Sequence, residues 1–194
     1  MKLSRAQLAA FHGGTLPDLA GPGVRLLFVG INPGLRAVAV KAPFGGGSNR
    51  FYPALFRAGI VDHRIDASDG LLPDDRTHLE ARGIGITSLV ATASARADEL
   101  SHEALVAGAV DLERRVRMIA PTVVAMLGVT AYRAAFGRPR ATPGLQPEPL
   151  GGVPLWVVPN PSGLNAHETA ESLGAAYREV AVAAGIPVYD PPRA

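Results

Sequence analysis

The chain is expected to adopt an α/β fold of three layers, a mostly parallel four-stranded sheet with helices on both faces. Three observations predict this. Short apolar runs alternate with stretches of helical periodicity four times, the order expected of consecutive βαβ units. Each run is apolar nearly throughout, as strands covered on both faces are. No internal repeat or linker interrupts the 194 residues, a length that suits one core, so a single domain over 1–194 is expected.

Residues 1–23, with Pro17, Pro22 and several glycines, read as an N-terminal arm before the first core element. Val24 to Val29 is the first strand, ending at Gly30. Gly30 to Gly47 follows as a long glycine-rich loop with two prolines, a length often reserved for function. Ser48 is placed to cap a helix that buries Phe51, Leu55 and Phe56 on one face. After a polar stretch with a short helix around His78 to Ala81 come a second strand, Ile84 to Val90, and a strongly patterned helix, Glu103 to Ile119. Arg114, Arg115 and Arg117 fall on its outer side. Thr122 to Leu127 is the third strand, stopped by Gly128 and followed by a helix over Ala131 to Phe136. Gly137 to Gly152, with four prolines and four glycines, is expected to be irregular. Leu155 to Val158 is the fourth strand, His167 to Ala184 the last helix, and Asp190 to Ala194 a frayed tail.

Composition narrows the chemistry. Without cysteine there is no disulfide, no thiol nucleophile and no cysteine-held zinc or iron–sulfur centre. A formal charge of +2 permits a nucleic-acid partner without demanding one, so any DNA contact must come from a local face and from backbone amides. No apolar run reaches membrane-spanning or signal-peptide length, which sets the cytoplasm as the expected location, at the nucleoid if the chain is bacterial. No metal site is expected: His167-Glu168 does not continue to H-E-x-x-H.

Ligands of such sheets bind beyond the carboxyl ends of the strands, and two loops there carry conspicuous residues. The first is Gly30-Ile31-Asn32-Pro33-Gly34. Asn32 offers an amide oxygen and two N–H donors, enough to hold a water or read a base edge, but no proton-accepting carboxylate. The second is Asn160-Pro161-Ser162-Gly163-Leu164-Asn165. The amides of Ser162 and Gly163 suit a phosphate, and Leu164 suits a wedge between bases. Each loop also reads as an ordinary turn, and Phe44 as a loop residue tucked into the core. Asp98 is open to two readings. It is a carboxylate on the rim that carries Asn32, and also an acidic residue at the start of the helix after Ser101.

Taken together, Gly-Ile-Asn-Pro-Gly at 30–34, Pro43-Phe44 with Asn49-Arg50-Phe51, and Asn-Pro-Ser-Gly-Leu at 160–164 resemble the mismatch-specific uracil/thymine DNA glycosylase family of the uracil-DNA glycosylase superfamily. Gly85 to Val90 and Leu127-Gly128 are also similar to the family's pattern, and the resemblance runs from about Leu26 to Tyr177. It implies a uracil-DNA glycosylase-like fold and a cofactor-free enzyme. Such an enzyme flips a damaged pyrimidine from mismatched or uracil-containing duplex DNA and hydrolyses its glycosidic bond. A monomer is the default expectation for the chain, apart from the resemblance. The resemblance implies that Asn32 positions the attacking water, that Gly30, Ile31, Phe44 and Asn160 form the base pocket, and that Leu164 fills the hole in the stack. Ser162, Gly163, Asn165 and His167 would meet DNA. Asn32 and Asn160 stand where other branches of the superfamily carry Asp and His, which implies slower chemistry and selection for weakly paired bases. Asn165-Ala166 replaces the Ser-Arg pair that often follows the wedge. A nucleotide- or phosphosugar-binding protein is the alternative, although neither G-x-x-x-x-G-K-[ST] nor G-x-G-x-x-G occurs. A serine hydrolase lacks its G-x-S-x-G.

Overall fold

A computed structural model describes residues 3–163 and 168–190. The central sheet has five strands, in the order β2-β1-β3-β5-β4. They are β1 Leu26–Gly30, β2 Ile84–Ser88, β3 Val123–Leu127, β4 Gly144–Leu145 and β5 Leu155–Val158. The four expected strands run parallel to one another, and β4 adds an antiparallel edge against Trp156 and Val157. The expected count of four is therefore corrected to five. The extra strand lies inside the stretch 137–152 expected to be irregular, where a single two-residue pairing turns the chain back along β5.

Strand alternation builds the two other layers. Leu26 and Phe28 of β1 point to one side and enter a core with Leu55, Leu173 and Tyr177. Leu27 and Val29 point to the other and pack with Leu112, Val116 and Tyr132. The first side is covered by α3 Phe51–Arg57, α4 Pro73–Ala81 and α7 Ala170–Ala183, the second by α5 His102–Ile119 and α6 Val129–Phe136. Burial of β1 on both faces is what makes its sequence apolar without alternation.

Several local expectations are revised. Residues before β1 do not form a separate arm. They include α1 Arg5–Ala9, and Leu19 is fully buried with its backbone paired to Ile86. The 30–47 loop contains a short helix, α2 Leu35–Ala39. Ser48 does not cap α3; the side-chain oxygen of Asn49 accepts from the Phe51 N–H at 2.9 Å. The helix around His78 begins earlier, at Pro73, whose ring suits a first turn. The last helix begins at Ala170, where Thr169 and Ser172 form a reciprocal cap. Of the expected frayed tail only Asp190 is described; 191–194 lie outside the described residues. Among the described residues no helix is long and apolar enough to cross a membrane.

Candidate active site

Because β1, β2, β3 and β5 are parallel, the segments leaving Gly30, Ser88, Leu127 and Val158 emerge on one rim. A cleft of about 200 Å³ opens there, lined by Gly30, Ile31, Asn32, Phe44, Asn160 and Ser162 among others. That is smaller than the roughly 300–1,000 Å³ of sites for drug-sized ligands, and suits one small planar ring. Every residue expected to form the base pocket thus lies on one cavity.

The first loop is zipped to the chain that follows β2. Leu89 and Val90 N–H donate to the carbonyls of Gly30 and Ile31 at 2.8 and 2.9 Å, and Ser94 N–H donates to Pro33 O at 3.3 Å. Asn32 Nδ2 spends its hydrogens on Thr92 O at 3.1 Å and Ser94 Oγ at 2.8 Å, and Ser94 Oγ in turn donates to Arg96 O at 2.7 Å. A carbonyl such as Thr92 O accepts only, so the amide orientation is fixed by chemistry: nitrogen toward Thr92, Oδ1 left as acceptor. The N–H groups of Ile31 and Phe44 make no hydrogen bond among the described residues, and both residues line the cleft.

Phe44 is half-buried and packed against the core, as the plain reading expects, and it also lines the cleft. Its backbone has φ 56°, a left-handed conformation that a bulky residue adopts only when its surroundings impose it. Three contacts impose it. Its ring stacks on Phe51 with centroids 4.1 Å apart. Tyr52 Oη donates to Pro43 O at 2.9 Å, and burial pushes the Tyr52 hydroxyl well above its ordinary pKa, so it stays a donor. Gly30 supplies room: a Cβ there would stand 3.2 Å from the Phe44 ring. The ring is therefore held against the end of β1 as a wall of the cleft.

The second loop is clamped from below by Arg50. Its N–H donates to Pro161 O at 3.0 Å and its guanidinium donates to Ser162 O at 2.7 Å and to Glu168 O. Gly163 lies so close to residue 48 that a Cβ would meet Ser48 O at 2.6 Å. Asn160 Oδ1 accepts from Ser162 N–H at 3.0 Å. That amide is thus engaged inside the loop, and the expected pair of phosphate donors at Ser162 and Gly163 reduces to Gly163. Leu164, Asn165 and His167, expected at the DNA, lie outside the described residues.

Asp98 sits in a single 3-10 turn, Ala97–Glu99, and forms two contacts to Arg96, at 3.0 and 2.5 Å. Their hydrogen bond holds the exposed Arg96 guanidinium still more firmly charged. Asp98 does not cap α5; Ser101 does, accepting from Ala104 N–H at 3.1 Å. Nor does Asp98 line the cleft. It lines an adjoining hollow shared with Ile31, Gly128, Asn160 and Ser162.

Sequence reasoning missed part of the wall. Arg115, expected on the outer side of α5, turns inward and donates to Ser88 O at 2.8 Å and to the Thr87 hydroxyl. Thr87 Oγ1 donates to Asp18 Oδ1 at 2.6 Å, and Asp18 and Thr87 both line the cleft. Arg114 and Arg117 do face solvent. Ser94 and Tyr52 were missed as well, and Arg50, noticed only as part of a motif, had no role read for it, since its partners Ser162 and Glu168 are distant in sequence.

The fold that carries this cleft, a three-layer sheet of mostly parallel strands, has a counterpart among solved structures. A solution NMR structure of a Methanosarcina acetivorans protein put forward as a uracil DNA glycosylase superposes with a TM-score of 0.58 at 15% identity, covering 87% of this chain and 98% of that one. At that identity the likeness speaks for the fold. The family is shown by the sequence profile of the uracil DNA glycosylase superfamily, which matches residues 17–183. The chain belongs to that superfamily.

Proposed function

We propose that this chain is a monofunctional uracil DNA glycosylase of the mismatch-specific type, hydrolysing the N-glycosidic bond of uracil in duplex DNA after flipping the base. The observation that carries the reading is the pinned amide of Asn32, with its free Oδ1 in the same cleft as Phe44 and the Ile31 and Phe44 amides. The flipped pyrimidine stacks on Phe44, and the two N–H donors meet its carbonyl oxygens. As the C1′–N1 bond breaks, its electron pair leaves with the base, whose growing negative charge those amides stabilise. Asn32 Oδ1 accepts a hydrogen bond from a water and aims its oxygen at C1′. The amide cannot keep the proton, so the bond must loosen far toward an oxocarbenium ion before water adds, its released proton passing to the departing uracil anion or to solvent. Such a site favours bases already weakly paired, which is why mismatched uracil is the proposed substrate.

Asp98 belongs to the proposal as an assisting carboxylate. Its Arg96 partner is exposed on the rim, and a DNA phosphate that engaged Arg96 would compete for the guanidinium and free the carboxylate beside Ile31. Leu164 is proposed as the wedge, carried by the loop that Arg50 clamps. Alkali cleavage of matched substrates carrying G·U, A·U, G·T and single-stranded U tests the reading. Release from G·U well ahead of A·U is expected. No release from any uracil substrate at high enzyme excess would end it.

A further inference from the structure

We propose that Asp62, His63 and His78 form a binding site for a divalent transition cation of the zinc type, on the α4 side of the molecule and independent of the glycosylase reading. One ligand atom from each of the three lies within 4.8 Å of the others. Ligands around a tetrahedral zinc at about 2.0–2.1 Å stand roughly 3.3 Å apart, so small side-chain shifts bring these atoms onto one ion. Asp62 Oδ1 is already 2.7 Å from His63 Nδ1 and 3.4 Å from His78 Nε2.

Two further observations make the cluster more than a surface ion pair. The first is Asp75, a carboxylate with only 7% of its surface exposed, whose Oδ1 lies 2.7 Å from His63 Nε2. If that nitrogen carries the proton, Nδ1 points a lone pair at the Asp62 oxygen at 2.7 Å. Two lone pairs at that distance repel, so the pair needs a shared positive centre: a proton at 2.7 Å, or a metal ion once the two atoms part to roughly 3.3 Å. A buried carboxylate on the far nitrogen of a histidine is also the arrangement that orients metal-ligating imidazoles. The second is His78 Nε2, which is buried and makes no hydrogen bond among the described residues, although it lies 3.4 Å from Asp62 Oδ1. A buried ring nitrogen without a hydrogen bond is left desolvated and uncompensated, and coordination to a cation would supply the missing partner.

Sequence spacing conceals the site. His63 and His78 are separated by a loop and most of α4, and only the Asp75–His78 spacing places two members on one helix face. Three protein ligands leave a fourth position for water. With Asp62 and His63 about half exposed, the ion would exchange with solvent. Its effect would be to tie the loop after α3 to α4. That loop continues through Arg64 to Ser68 as the wall of a hollow beside Phe44 and Asn49.

The test uses tag-free, chelator-treated full chain titrated with ZnCl2 by calorimetry and thermal melting, and with CoCl2 by visible absorption. One saturable Zn²⁺ per chain, a Tm that rises with Zn²⁺, and tetrahedral Co²⁺ bands are expected. H63Q and H78Q, each checked for native circular dichroism, should lose all three. D75N should keep the stoichiometry and bind about 10–100-fold more weakly. No saturable binding up to about 1 mM Zn²⁺ would overturn the site and leave His63 as an imidazolium ion pair only. Wild-type binding in both histidine variants would overturn it equally.

Discussion

The two walls of the cleft are held by different means. On one side, the loop after β1 is laced by backbone and side-chain hydrogen bonds to residues 89–96, and the lacing ends on the amide of Asn32. On the other, the loop after β5 is held at its two ends by Arg50. Its backbone N–H bond to Pro161 and its guanidinium bonds to Ser162 and Glu168 bracket the segment that carries Leu164. A wall that must place one water within a fraction of an ångström benefits from many short constraints. A wall that must enter and leave a base stack benefits from a clamp at its ends. Under the proposed function, the first wall carries the chemistry and the second the DNA distortion.

Breaking the first wall should show the largest effect. Asn32→Ala should lower the single-turnover rate of uracil release by about 10²–10⁴-fold, the scale of a group acting in the transition state. Phe44→Ala comes next: losing base–aromatic stacking of about 1–3 kcal/mol should weaken turnover roughly 5–150-fold on duplex and single-stranded uracil alike. A loss confined to duplex would move Phe44 to the distortion side. Asp98→Asn should slow single turnover about tenfold with an unchanged Tm, below the range of a fully committed base. A rate equal to wild type would remove Asp98 from the site. Smallest is Ser94→Ala, which removes one hydrogen bond from Asn32 worth about 1 kcal/mol and should cost roughly fivefold in rate while leaving DNA affinity intact.

How much of this was legible in the sequence follows the same division. The parallel strands were readable because burial on both faces leaves an apolar run such as Leu26 to Val29. The edge strand Gly144–Leu145 was not, since two residues among prolines become a strand only by pairing with Val157 and Trp156. Asn32, Phe44 and Asn160 stood out by motif, and all three line the cleft. Ser94 did not: a serine in Thr92 to Ala95 carries no signal until the fold lays it against Asn32, 62 residues away. Arg115 misled because periodicity marks a face but not a reach. It lies on the flank between Leu112 and Val116, and its side chain spans that flank to Ser88. The histidine cluster was hidden for a similar reason, its members being joined by the path of the chain and not by a spacing.

The central claim, chemistry on the laced wall and DNA grip on the clamped wall, is tested most directly by measuring two quantities on two variants. Single-turnover uracil release and duplex affinity are determined for Asn32→Ala and Arg50→Ala against wild type on one G·U duplex, with Tm as control. Asn32→Ala should lose rate and keep affinity. Arg50→Ala should lose roughly tenfold in affinity, the scale of a hydrogen bond to a charged group, and keep most of its saturated rate. The opposite pattern, affinity lost with Asn32 and saturated rate lost with Arg50, would contradict the division of labour between the walls.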